Sequence, residues 1–216
     1  MSEENTPLLS PIDARIVASL FEKEATTPDA YPLTLNAVVL ACNQKTAREP
    51  VMELEQGEVA NALRRLETRA WVKSQHTARA ERYSHRIEAV LSLTKPQTAL
   101  LALLALRGPQ TAHELLARSD RLARFEGVED VQHALERLSR RTPALVAALP
   151  RQSGQRGERF AHLLCGEPDA SVVSAASVDA GALSSPLSVR VAELEQRVAE
   201  LEARLVALES GRDTGT

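Results

Sequence analysis

A helix-length segment that occurs twice constrains this chain more than any other feature. Glu58-Val-Ala-Asn-Ala-Leu-Arg-Arg-Leu-Glu-Thr-Arg69 is echoed by Asp130-Val-Gln-His-Ala-Leu-Glu-Arg-Leu-Ser-Arg-Arg141. In the first copy Val59, Ala62, Leu63 and Leu66 recur at spacings of three and four, the stripe that an amphipathic helix buries. The second copy repeats the same Val-Ala-Leu-Leu edge.

Each copy stands at the same place in a longer order of elements. Ser10-Pro11-Ile12-Asp13 opens a helix that runs to about Lys23: Ser caps, Pro fits the first turn, and Asp suits the positive end of the dipole. Thr26-Thr27-Pro28 and Tyr31-Pro32 break it. A second helix is expected from about Leu35 to Asn43, then a polar loop from Gln44 to Leu54, then the repeated helix over about Gln56 to Ala70. Trp71 to Gln75 and Glu81 to Arg86 read as strands. The second copy begins with the capping box Thr94-Lys95-Pro96-Gln97 and an apolar helix that Gly108-Pro109 stops. A second capping box, Thr111 to Glu114, starts a short helix to about Arg118, and the repeated helix follows over about Val128 to Arg141. Leu145 to Leu149 and Arg159 to Leu164 are the matching strands.

Three helices followed by a β-hairpin is the ground plan of a winged helix. The expected fold class is therefore mainly α with small β-hairpins (α+β): two tandem winged-helix domains over residues 8–92 and 93–166. Residues 167–184 are rich in Ala, Ser, Val and Asp without periodicity, and read as a flexible linker. Over residues 185–210, Leu187, Val191, Leu194, Val198, Leu201, Leu205 and Leu208 alternate at four and three, a coiled-coil seam. With Val191 as a, the g positions are Arg190, Arg197 and Arg204, and the e positions include Glu195, Glu202 and Glu209. A parallel pair sets every g against an oppositely charged e, whereas an antiparallel pair sets like against like. A parallel homodimer is expected, the alternative being a helix folded back on its own domain.

Composition narrows the function classes. Net charge is −3, and by segment it runs −2 over residues 1–92, +3 over 93–167 and −4 over 168–216, so no segment is strongly basic. Aromatic residues are 3%, too few for a base-stacking platform. Cys42 and Cys165 are far apart and read as buried apolar residues. The acidic, polar opening Met1-Ser-Glu-Glu-Asn is not a secretory leader, and the apolar run Ala99 to Leu106 is too short to span a bilayer, so a cytoplasmic setting without membrane contact is expected. His113-Glu114 resembles the start of a zinc-protease HExxH helix, but Ala117 stands where the second His is needed. His76, His85, His133 and His162 lack metal-ligand spacing, and phosphate-loop and nucleophile-elbow motifs are absent. No catalytic residue, metal or cofactor is expected, and the chain is read as a binding protein rather than an enzyme.

The binding surface follows from winged-helix geometry, in which the third helix enters the major groove and the wing meets backbone. In the first copy the outward face carries Asn61, Arg64, Arg65 and Thr68, with Lys73, Arg79 and Arg82 on or near the wing. Arg and Asn are the side chains that pair bidentately with base edges. In the second copy the matching face is His133, Glu136, Arg137 and Arg140, with Arg151 and Arg156 on a long Gly-containing wing. Double-stranded DNA is thus the expected partner of a regulator-like protein. The loop residues Asn43, Gln44, Lys45, Thr46 and Arg48 either grip phosphate or a partner, or satisfy their own backbone. The neutral-to-acidic balance keeps open a non-catalytic protein-interaction scaffold, whose partner the sequence does not identify.

Two stretches carry a resemblance. Thr26-Thr27-Pro28-Asp29-Ala30-Tyr31-Pro32-Leu33 and Ala41-Cys42-Asn43-Gln44-Lys45-Thr46-Ala47-Arg48-Glu49-Pro50-Val51-Met52 resemble the signature of the YceH-like family of bacterial proteins. The similarity extends over nearly the whole chain, including the Leu100–Gly108 helix, Arg159 to Gly166 and the terminal heptads. The resemblance implies tandem winged helices and a bacterial cytosolic setting, and it brings no assigned activity and no catalytic residues.

Overall fold

The computed structural model describes residues 8–76, 80–150 and 157–167. Its fold is mixed α+β, with seven α-helices among the described residues and two small antiparallel sheets. The first repeat comprises α1 (Pro11–Thr26), β1 (Leu33–Thr34), α2 (Leu35–Cys42), α3 (Gln56–Thr68), β2 (Val72–His76) and β3 (Glu81–His85). After the short α4 (Ile87–Leu91), the second repeat runs α5 (Lys95–Arg107), β4 (Gln110–Thr111), α6 (Ala112–Ser119), α7 (Val128–Ser139), β5 (Val146–Leu149) and β6 (Arg159–His162). The strand orders are β1-β3-β2 and β4-β6-β5, so the duplication extends to topology.

The expected caps are formed. Ser10 accepts from the Asp13 amide, and reciprocal boxes close α5 at Thr94/Gln97 and α6 at Thr111/Glu114. Helix α3 stops at Thr68, short of the expected Ala70, because Ala70 takes a left-handed φ of 59°. Gly108, at φ 70°, ends α5 in a conformation that costs glycine least. The strands β1 and β4 and the helix α4 have no counterpart in the sequence reading. A two-residue strand is too short to show a period. It is defined by its partners instead, Leu33 opposite Tyr83 and Gln110 opposite Phe160.

The repeated stripe is the inner face of both helices: Val59, Ala62, Leu63 and Leu66 of α3, and Val131, Ala134, Leu135 and Leu138 of α7, are buried. Each large apolar side chain contributes about 1.5–3 kcal/mol by leaving water. The first helices of the repeats differ from this pattern. From Asp13 to Phe21 every residue of α1 is buried, as is every residue of α5 from Thr98 to Leu104. A helix enclosed on all sides needs more than its own repeat to cover it. α1 and α5 pack on each other, and the buried apolar residues of both repeats form one continuous cluster. Two backbone hydrogen bonds reinforce the junction: the Leu9 amide donates to the Leu164 carbonyl at 2.8 Å, and the Glu49 amide to the Leu106 carbonyl at 2.7 Å. No described helix is long and apolar enough to cross a membrane.

Candidate nucleic-acid interface

On the outward face of α3, Asn61, Arg64, Arg65 and Thr68 are all exposed, and Lys73 is exposed on the adjoining β2. Helical spacing places Asn61 one turn from Arg64, whose Nη1 donates to Asn61 Oδ1 at 2.9 Å. That bond leaves the guanidinium pointing along the helix surface in company with an amide. Thr68 donates its hydroxyl to the Arg64 carbonyl at 3.0 Å. Arg65 differs: its Nη2 meets Asp13 Oδ1 of α1 at 3.0 Å, and Asp13 is almost fully buried, so this guanidinium holds α3 to α1. Glu67 is taken by the Ser74 amide and hydroxyl.

The corresponding face of α7 is weaker. Glu136 Oε1 receives Arg140 Nη2 at 2.6 Å, an exposed pair that lowers the positive potential Arg140 would otherwise give. Arg137 is exposed. Arg79, Arg151 and Arg156 lie outside the described residues, as do the heptad positions Leu187 to Leu208.

Others of the sequence-derived contacts are engaged within the fold. Arg82 donates to the Pro32 carbonyl at 2.7 Å, and Arg159, its counterpart in the second sheet, donates to the Pro109 carbonyl at 2.5 Å. Both arginines strap the central strand to the Pro-X-Thr segment that carries the edge strand, Pro32-Leu33-Thr34 or Pro109-Gln110-Thr111, with Thr at the same register. That shared spacing is a signal the sequence does contain. For Arg48 the internal role left open by the sequence is the one found, not the phosphate grip. Its side chain is fully buried, and it donates to both oxygens of Glu22, at 3.2 and 2.5 Å, and to the carbonyls of Ala41 and Ala47. Asn43 is likewise engaged: its amide donates to the Leu54 carbonyl at 2.8 Å and its oxygen accepts from the Leu54 amide at 2.9 Å. Asn43 and Arg48 thus close the loop on itself, while Lys45 and Thr46 are exposed and Gln44 is half-buried.

Burial pushes the thiols of Cys42 and Cys165 up to about 11, so both stay protonated and unreactive near neutrality. His162, on β6, is held down to about 4 by desolvation, and its buried Nδ1 has no partner among the described residues. The folded protein therefore resists a proton that the unfolded chain accepts below pH 6.5. Its contribution to stability is complete above that pH and is lost as the pH falls toward 4, by at most about 3 kcal/mol. Urea unfolding of wild type and His162→Gln at pH 7 and 4.5 tests this: the wild type should lose more stability on acidification. Equal losses would exclude the histidine as the cause. Among the described residues no group of three or more His, Cys, Asp or Glu side chains is arranged to hold a metal ion.

Residues 9–155 match the family model described as "Protein of unknown function, DUF480". A UPF0502 protein of Xanthomonas campestris pv. campestris (strain B100) is 55% identical over 196 residues, covering 88% of this chain and 87% of the relative. Similar UPF0502 proteins occur in Stenotrophomonas maltophilia (strain K279a), 52% identical over 88% of this chain and 89% of its own, and in Mesorhizobium japonicum, 53% identical over 89% and 92%.

Proposed function

Because the chain belongs to the DUF480 family of bacterial UPF0502 proteins, whose function is unknown, its role has to be read from its own surface, and we propose that it is a non-enzymatic, duplex-DNA-binding regulator built from two winged helices. The observation that carries the reading is the α3 face. Asn61 and Arg64 stand hydrogen-bonded on an exposed helix beside an antiparallel hairpin, and Lys73 extends from that hairpin. In the major groove, Arg64 and Asn61 would meet base edges, and Thr68 and Lys73 the phosphates. The first repeat supplies the reading helix, since the Glu136–Arg140 pair weakens α7. The terminal heptads of Leu187 to Leu208 dimerise the chain in parallel, which gives two reading helices per particle and favours a DNA site with two-fold symmetry.

Joint charge reversal, Arg64→Glu with Lys73→Glu, should weaken duplex affinity about 100-fold at low salt, two contacts' worth. The unmodified chain should lose affinity steeply as salt rises, because phosphate contacts release counterions. In the same experiment, light scattering should give the free protein twice its 23.5 kDa chain mass. Duplex binding that is absent at low salt, or indifferent to the reversal, rejects the DNA reading; a monomer rejects the heptad seam.

One observation favours a second reading. Leu40, 64% exposed on α2, and Val51, 50% exposed in the following loop, are large apolar side chains left to solvent. A protein-interaction scaffold would use them, and its binding to a protein partner would survive nuclease treatment and higher salt.

A further inference from the structure

Where the two repeats meet, a cleft of about 280 Å³ opens between α1, the loop around Pro50, the end of α5 and β6. Its walls are mainly apolar, including Ala14, Met52, Leu104, Ala105 and Ala161. Arg15 also lines it and is only 1% exposed. Among the described residues no carboxylate forms an ion pair with this guanidinium; Glu49 and Glu22 act on it only from farther away, and burial outweighs them. Nη1 donates to the Cys42 carbonyl at 3.3 Å and Nη2 to the Pro50 carbonyl at 2.7 Å, while the buried Nε has no acceptor. The contrast with Arg48 is instructive, because Arg48 is buried nearby and has Glu22 as its counterion. A buried cation without a counterion is costly, and the cost falls when an anion arrives.

We propose that this cleft is a binding site for a small, largely apolar molecule carrying one carboxylate, which Arg15 receives at the buried end. The two carboxylates on the cleft wall, Glu49 and Glu167, are exposed and so belong to its mouth. They disfavour a second negative charge there and orient the ligand charge-inward. His162 and Cys165 complete the wall, and both are neutral near pH 7, which leaves Arg15 the only buried charge among the described residues that line the cleft. Because the cleft is walled by both repeats, a ligand there bears on their junction. The inference does not depend on DNA binding.

The test uses the full chain with labelled methionine methyl groups, Met52 being assigned with Met52→Leu. Hexanoate and benzoate should each shift the Met52 signal saturably. Hexanamide and hexylammonium, which lack the negative charge, should bind about tenfold more weakly or worse. Ala105→Phe, which fills the cleft, and Arg15→Gln, which removes the charge, should each weaken hexanoate by about tenfold. The proposal is overturned if neither acid gives a saturable shift, if the amide or the amine binds as well as the acid, or if a folded Ala105→Phe protein binds hexanoate normally. Should Arg15→Gln not fold, the acid–amide comparison on the wild type decides the charge requirement by itself.

Discussion

Replacing Arg48 with methionine should destabilise the protein by about 3–5 kcal/mol, the cost of leaving one member of a buried pair alone. Glu22 would lose both hydrogen bonds to its carboxylate, which is 14% exposed, and the Ala41 carbonyl would lose two donors. Lys23, 4.0 Å from the same carboxylate, is too far to replace them. The double change Arg48→Met with Glu22→Leu should recover most of the loss, because it removes the charge and its counterion together. Urea denaturation of the three variants measures the effect. A single-variant loss below about 1 kcal/mol is what a solvated pair gives, and would show that burial does not govern this one.

The second large effect concerns coupling. Leu135 is fully buried in α7, and Leu135→Ala should cost about 2–5 kcal/mol. Trp71, the sole tryptophan, is buried in the first repeat and reports on that half alone. Since the two repeats share one apolar cluster through α1 and α5, its fluorescence transition should shift to lower denaturant together with the far-ultraviolet circular dichroism, although the change lies in the other repeat. A Trp71 transition left in place, beside an earlier loss of helix signal, would mean that the repeats unfold separately.

Arg48 also marks where sequence reasoning stops. Between Asn43 and Glu49 it reads equally as a phosphate-gripping and as a self-satisfying loop residue, because its counterion is far back in α1 and no local spacing links the two. Arg65 is similar, its partner Asp13 being in another helix although α3 periodicity puts it correctly on the surface. By contrast, α3 and α7, the capping boxes and the hairpin strands were legible, since each depends on neighbours within a turn or two. The apolar run of α5 was visible, but not its target. Periodicity says how much of a helix is buried and not against what. The Arg82 strap lay between these cases: invisible in one repeat, readable once Pro32-Leu33-Thr34 and Pro109-Gln110-Thr111 are aligned.

The enclosure of α1 by α5 bears on how the chain comes into being. Translation delivers α1 well before α5, so the flank of α1 that packs on α5 emerges from the ribosome with its cover not yet made. Until the second repeat arrives, the first is a half-clad intermediate with apolar surface in water, the kind of species that chaperones hold. The duplication that gives this protein its shape thus also sets the moment at which it can finish folding.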